Sequence, residues 1–204
     1  MKVSALLRHL YVGAVIMLIV AELLLVLVSW ILSATMADNV RSLLSSEGLR
    51  WFVGTFSSFV ATPSLVWMLL MSMAGGCMWQ SNLLSVIRSC EPKGNYRQRV
   101  ALRSTLTFLV IFLLVVMLLT VFPHAVLLSA TGRLWPSPFS RALVPIVALG
   151  LLLMSVVYGR TSGRFNSITD IIDSLSFGIG KAAPLLILYV VFIQFYESLK
   201  FVFP

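Results

Sequence analysis

Apolar residues in this chain gather into five long stretches, at 10–33, 63–87, 102–122, 142–158 and 182–203, with short polar segments between them. A helix rising 1.5 Å per residue needs about twenty residues to cross a ~30 Å hydrocarbon layer, and most of these stretches reach that length. The third is the cleanest, being almost entirely Leu, Val, Ile, Phe and Met. The fourth is short and contains Pro145 and Gly150; Pro145 is expected in the first turn, with Ser140 as cap, where a proline does no harm. The fifth is expected to start at Pro184 and to close near Glu197 and Lys200, which are spaced for an i,i+3 pair.

Two further segments carry a narrower apolar face. Within 36–62, Trp51, Phe52, Phe56 and Phe59 recur at roughly helical spacing, which predicts an amphipathic helix lying among the headgroups. Ahead of the last span, Ser167, Ile168, Thr169 and Asp170 form a capping box with Asp in place of Glu. Ile168, Ile171, Ile172 and Leu175 then make one apolar stripe. The pattern predicts an all-α integral membrane protein. About five transmembrane helices and two interfacial amphipathic helices form a single transmembrane domain over residues 1–204.

Composition agrees with lipid as the surrounding medium. The chain is 59% hydrophobic and only 11% charged, too few charges to cover a water-facing surface. Its net charge of +8 sits in short loops beside apolar helices, where anionic headgroups are the nearest partner. No soluble basic domain is present, so nucleic acid is not an expected partner. With the N-terminus inside, the inner segments hold Lys2, Arg8, Arg88, Lys93, Arg97, Arg99, Arg103, Arg160, Arg164 and Lys181. The outer segments hold Arg41, Arg50, Arg133, Arg141 and Lys200. Ten of the fifteen cations inside predict an N-terminus in the cytoplasm and a C-terminus outside. The first apolar run is longer than a secretory h-region, so it is expected to be a retained helix despite the faint cleavage-like pattern Ala34-Thr35-Met36-Ala37.

Candidate chemistry is sparse. Cys77 lies in an apolar run and Cys90 in a basic loop, so no disulfide is expected between them. His9 and His124 have no Cys, Asp or Glu cluster beside them, and no metal, haem or other cofactor is expected. No phosphate loop, nucleophile elbow or His-Glu pair occurs, so the chain does not read as an enzyme and no catalytic residue is assigned. Glu22 stands alone inside the first apolar run, sharing one helix face with Tyr11, Ser29 and Ser33. A carboxylate at mid-bilayer costs about 2.5–3.5 kcal/mol on insertion scales, so it needs a partner or a proton. Glu22 and Ser29 are candidates either for proton or ion coupling or for hydrogen bonding between helices or subunits. In the second span, Ser72, Gly76 and Gln80 recur every four residues beside Gly75. That spacing suits close helix packing, or local unwinding at Gly75-Gly76 that exposes carbonyls to a substrate. Met68, Met71, Met73 and Met78 are expected as core or lipid-facing filler.

The stretch from Asn39 to Ile87, built around Leu43-Leu44-Ser45-Ser46-Glu47-Gly48-Leu49-Arg50-Trp51, resembles the aminobenzoyl-glutamate transporter (AbgT) family. A second similar stretch begins at Ser137-Pro138-Phe139 and runs through Val144-Pro145 to Val157-Tyr158-Gly159. It resumes at Ser167–Ser176 and in the final run with Gln194-Phe195. The resemblance implies a proton-coupled carrier of the bacterial inner membrane that moves aminobenzoyl-glutamate or sulfonamide-like drugs. It also implies dimers, and a fold combining a helical scaffold with two re-entrant hairpins. Where the family has its first hairpin and Asp-Ala-Gly-Tyr segment, this chain has the basic loop Cys90–Arg103, and it ends before the second hairpin. It is therefore expected to be a truncated member lacking both hairpins, with no substrate-binding residue carried over. Its expected partners are membrane lipid and either a second copy of the chain or another membrane protein. A non-transporting scaffold that dimerises or binds another membrane protein is the alternative reading.

Overall fold

The computed structural model describes residues 2–35, 40–89, 96–121 and 138–204. The Met36-Ala37 end of the cleavage-like pattern, the Cys90–Asn95 part of the basic loop, and the 122–137 segment with His124 and Arg133 lie outside the described residues. The described residues form seven helices: α1 (Lys2–Ala34), α2 (Ser46–Val60), α3 (Pro63–Gln80), α4 (Leu83–Ser89), α5 (Tyr96–Val121), α6 (Pro138–Ser162) and α7 (Ile168–Val202). Four of them, α1, α5, α6 and α7, are long and apolar enough to cross a membrane. The α2–α3 pair, bent by 42°, makes a fifth span if read as one broken helix. Large apolar side chains stay on the outside, among them Leu10, Met17 and Leu23 on α1 and Leu106 and Leu114 on α5. Lipid is the medium that makes such a surface stable.

Several boundaries depart from the sequence expectations. The expected amphipathic helix at 167–176 and the span at 182–203 are one continuous helix, α7. Pro184 lies inside it rather than at its start, giving up the hydrogen bond its N–H would make to the Gly180 carbonyl. Membrane helices tolerate this because neighbouring groups re-satisfy the freed carbonyl. Pro145 is likewise interior to α6, which begins seven residues earlier at Pro138, so Ser140 is helical and not a cap. The second span does not run to Ile87. It stops at Gln80, because Asn82 adopts a left-handed φ of 65° that ends α3 and lets α4 start at Leu83.

Local chemistry explains the other ends. Ser45 caps α2 by accepting a hydrogen bond from the Gly48 N–H at 3.0 Å. Pro63 opens α3 at a position where the missing N–H is harmless. Gly163, at φ +79°, turns the chain after α6, and the Arg164 and Phe165 N–H groups both donate to the Gly159 carbonyl. At the head of α7 one half of the expected capping box forms: the Asp170 carboxylate accepts from the Asn166 and Ser167 N–H groups at 2.8 and 2.9 Å, while the Ser167 hydroxyl accepts from the Thr169 N–H at 3.4 Å.

The chain divides into two compact units. The first comprises residues 1–66 and 183–204 and is centred on Leu25, Leu43 and Val202, with Trp51, Phe195 and Phe201 packed around them. Trp51 stacks on Phe201 at 4.4 Å and meets Phe59 at 5.2 Å, while Phe56 of the predicted aromatic face stays exposed. The second unit, residues 67–182, is centred on Leu83, Ala101 and Tyr158, with Met78, Leu102 and Met154 alongside. Within it Gly150 lets α6 approach the Phe112 ring on α5, where an added Cβ would sit 2.8 Å from the ring edge.

Candidate functional site

In the first unit, α1 and the C-terminal half of α7 hold a small polar chain within apolar surroundings. Ser198 Oγ donates to Glu22 Oε1 at 2.7 Å, and Gln194 Nε2 donates to Ser198 Oγ at 3.4 Å. Gln194 and Ser198 are four residues apart, so both side chains leave the same face of α7. Ser198 is fully buried and Gln194 is 8% exposed. The other two oxygens of this chain, Glu22 Oε2 and Gln194 Oε1, are buried without a hydrogen-bond partner. A buried acceptor left unpaired costs about 1–3 kcal/mol.

Ser29 does not join this chain. Its hydroxyl is fully buried, donates to the Val26 carbonyl at 2.9 Å, and accepts from the Leu43 N–H at 3.2 Å. It thereby ties the segment before α2 to α1. The Arg41 N–H adds a second tie, to the Val202 carbonyl at 3.1 Å. At the bend between α2 and α3, the Tyr189 hydroxyl hydrogen-bonds both Thr62 and Ser64, the latter at 2.8 Å.

The second unit brings α3 against the N-terminal half of α7 at glycines. A Cβ on Gly76 would lie 2.3 Å from the Gly178 Cα, and one on Gly178 would lie 2.1 Å from the Ser72 carbonyl oxygen. The two backbones therefore touch, which only glycine permits at both positions. Beside the crossing the helices part, and a cavity of about 500 Å³ is lined by Ser72, Gly75, Gly76, Trp79, Phe177, Gly178, Lys181 and Ala182. Ser72, Gly75 and Gly76 thus share one site, but their roles differ. Gly76 sits in backbone contact, whereas a Cβ on Gly75 would meet nothing within 4 Å. Gln80 is half-buried at the end of α3 and is not part of the lining. The α3 backbone is helical through Gly75 and Gly76, without the unwinding that would free carbonyls there.

Sequence reasoning passed over Ser198, Gly178 and Lys181. Ser198 had a signal, since Gln194 and Ser198 are the only hydrogen-bonding uncharged side chains at i,i+4 spacing near the end of the last run. The pairing of Gly178 with Gly76 had none, because 102 residues separate them.

Long lipid-facing helices and a bent helix pair define a multi-pass helical membrane protein. Residues 87–201, more than half of the sequence, match the "AbgT putative transporter family", and the chain belongs to that family. The match begins where the first stretch of sequence resemblance ends, at Ile87, and contains most of the second. Among solved structures the chain is similar to the YdaH transporter of Alcanivorax borkumensis, described as having an unusual topology. The TM-score is 0.75 at 18% identity, over 93% of this chain and 70% of that one, a likeness of fold. No curated protein matches.

Proposed function

We propose that the chain is a proton-coupled carrier of the AbgT type in the bacterial inner membrane, with its N-terminus cytoplasmic, its C-terminus outside, and two copies assembled. Its substrate is an amphiphilic aromatic compound of the aminobenzoyl-glutamate or sulfonamide type, and Glu22 is the group that takes up the proton. The observation that carries the reading is the half-satisfied Glu22 carboxylate inside α1, bonded by Ser198 on one oxygen and unpaired on the other. A proton on Oε2 removes the charge from an apolar helix and turns an empty acceptor into a donor. Family membership supports the carrier class.

The test is substrate flux in proteoliposomes under an imposed pH gradient. Wild type is expected to show gradient-driven flux, and Glu22→Gln to lose the dependence on the gradient while keeping its fold. Undiminished coupling in that variant removes Glu22 from the mechanism.

One observation favours a second reading, a non-transporting scaffold. The helices α1, α5 and α7 run unbroken, and a carrier of this kind grips its ligand with the free backbone groups of broken helices. Absence of flux from wild type, together with a stable partner of defined mass in mild detergent, favours the scaffold.

A further inference from the structure

The cavity beside the Gly76–Gly178 crossing combines three properties that neither reading of function uses. Its walls are largely apolar and aromatic, with Trp79 from α3 and Phe177 from α7. Its floor is open at Gly75, where no atom approaches within 4 Å of an added Cβ, so the space is available to an occupant. Among the described residues that line it, the charged one is Lys181, whose ammonium sits 5.5 Å from the Phe177 ring centroid. Among the described residues, Lys181 forms no ion pair with a carboxylate.

The position of Lys181 along its helix says what kind of anion it meets. From Ala182 onward α7 is apolar, with no charged residue until Glu197, whereas the preceding turns carry Thr169, Asp170, Asp173 and Ser176. Lys181 therefore stands where the polar part of α7 passes into the apolar part, the level at which phospholipid phosphates lie. Lys side chains at such a boundary reach toward headgroups while their methylene stems lie on apolar surface. Trp79 is 68% exposed, and exposed tryptophans of membrane proteins concentrate at the same level. The volume, about 500 Å³, is in the range of small-molecule sites.

We infer that this groove is a binding site for one anionic phospholipid, its phosphate held by Lys181 and an acyl chain laid along Gly75, Trp79 and Phe177. Charge complementarity selects the headgroup and the apolar wall holds the chain. A soluble anion would gain only the first contribution, and a zwitterionic lipid mainly the second. Seated there, the lipid covers the edge of the α3–α7 contact and bridges the two helices.

Retention of lipid by the purified full-length protein, measured by native mass spectrometry from nanodiscs of phosphatidylglycerol and phosphatidylcholine, tests the proposal. Wild type is expected to retain phosphatidylglycerol in preference to phosphatidylcholine. Lys181→Gln is expected to lower that retention about fivefold, the contribution of one basic residue near a membrane surface. Gly75→Leu fills the groove from a position with room for a side chain, and is expected to displace the lipid without changing charge. Lys200→Gln, a cation of the other unit, serves as the control and should leave retention unchanged. Monodispersity and helix content by circular dichroism identify any variant that fails to fold, and either groove variant suffices. Equal retention by wild type and a folded groove variant, or no preference for phosphatidylglycerol in wild type, overturns the site. Displacement of the bound lipid by a second copy of the chain, seen as lipid-free dimers in wild type, overturns it as well.

Discussion

At the residue scale, the behaviour of Glu22 turns on which of its oxygens has a donor. Ser198→Ala removes the hydrogen bond to Oε1 and leaves the carboxylate bare on both sides. The expected result is a loss of about 1–3 kcal/mol, read as a lower midpoint in thermal unfolding in detergent. Glu22→Gln supplies a donor of its own and removes the charge, so its midpoint is expected at or above wild type. A lower midpoint for Glu22→Gln than for Ser198→Ala contradicts the geometry described. The two adjacent glycines on α3 make a sharper pair. Gly76→Ala forces a methyl group into the Gly178 backbone and is expected to cost about 1–3 kcal/mol by overpacking. Gly75→Ala adds the same methyl group in open space and is expected to be neutral, or stabilising by up to about 1 kcal/mol through helix propensity. Side by side, the two variants distinguish a glycine needed for contact from one that merely tolerates it.

At the element scale, the break between α3 and α4 rests on Asn82, whose left-handed conformation costs an ordinary L-residue about 1–2 kcal/mol. Asn82→Gly is expected to retain wild-type stability, while Asn82→Ala is expected to lose about 1 kcal/mol or to favour continuation of α3 into α4. A pair of spin labels at Met78 and Ser85 checks the second outcome by a change in their separation. The long α7 presents the reverse situation. Two glycines and a proline lie within its 178–184 segment, yet the helix continues, because nothing there adopts a positive φ and the flanking apolar surface rewards continuity. Of these elements, the four long apolar helices and the Asp170 cap at the head of α7 were legible from hydropathy and spacing. The extents of α6 and α7 were not. Proline reads as a helix start in water-soluble proteins, whereas a membrane leaves an interrupted helix few alternatives to continuing.

At the scale of the whole molecule, the chain forms two compact units, each with its own small core and its own polar feature. The first contains Glu22 with Ser198 and Gln194, and the second contains the glycine crossing with its groove. Burial is modest throughout, since even the most apolar helix, α1, has only 6% of its spanning window buried within the protein. Stability in such a molecule depends strongly on the surrounding lipid. Removal of lipid by extended detergent washing is therefore expected to lower the unfolding midpoint, and adding back phosphatidylglycerol is expected to restore it, as followed by intrinsic tryptophan fluorescence.

Membrane location, helical class and family were set by the sequence alone, because an apolar run of twenty residues has few stable fates other than a lipid-embedded helix. The isolation of Glu22 could also be read directly, since one carboxylate among aliphatic residues is conspicuous wherever the chain folds. What completes its environment could not, because Ser198 lies 176 residues away and meets it only when α1 and α7 pack. The same holds for Gly76, whose partner Gly178 becomes a neighbour only through the crossing of α3 with α7. Hydropathy reports the preference of each segment for lipid over water, which is a local property. Which helix faces which is decided by backbone approach and hydrogen bonding between distant segments, and those contacts exist only in the packed structure.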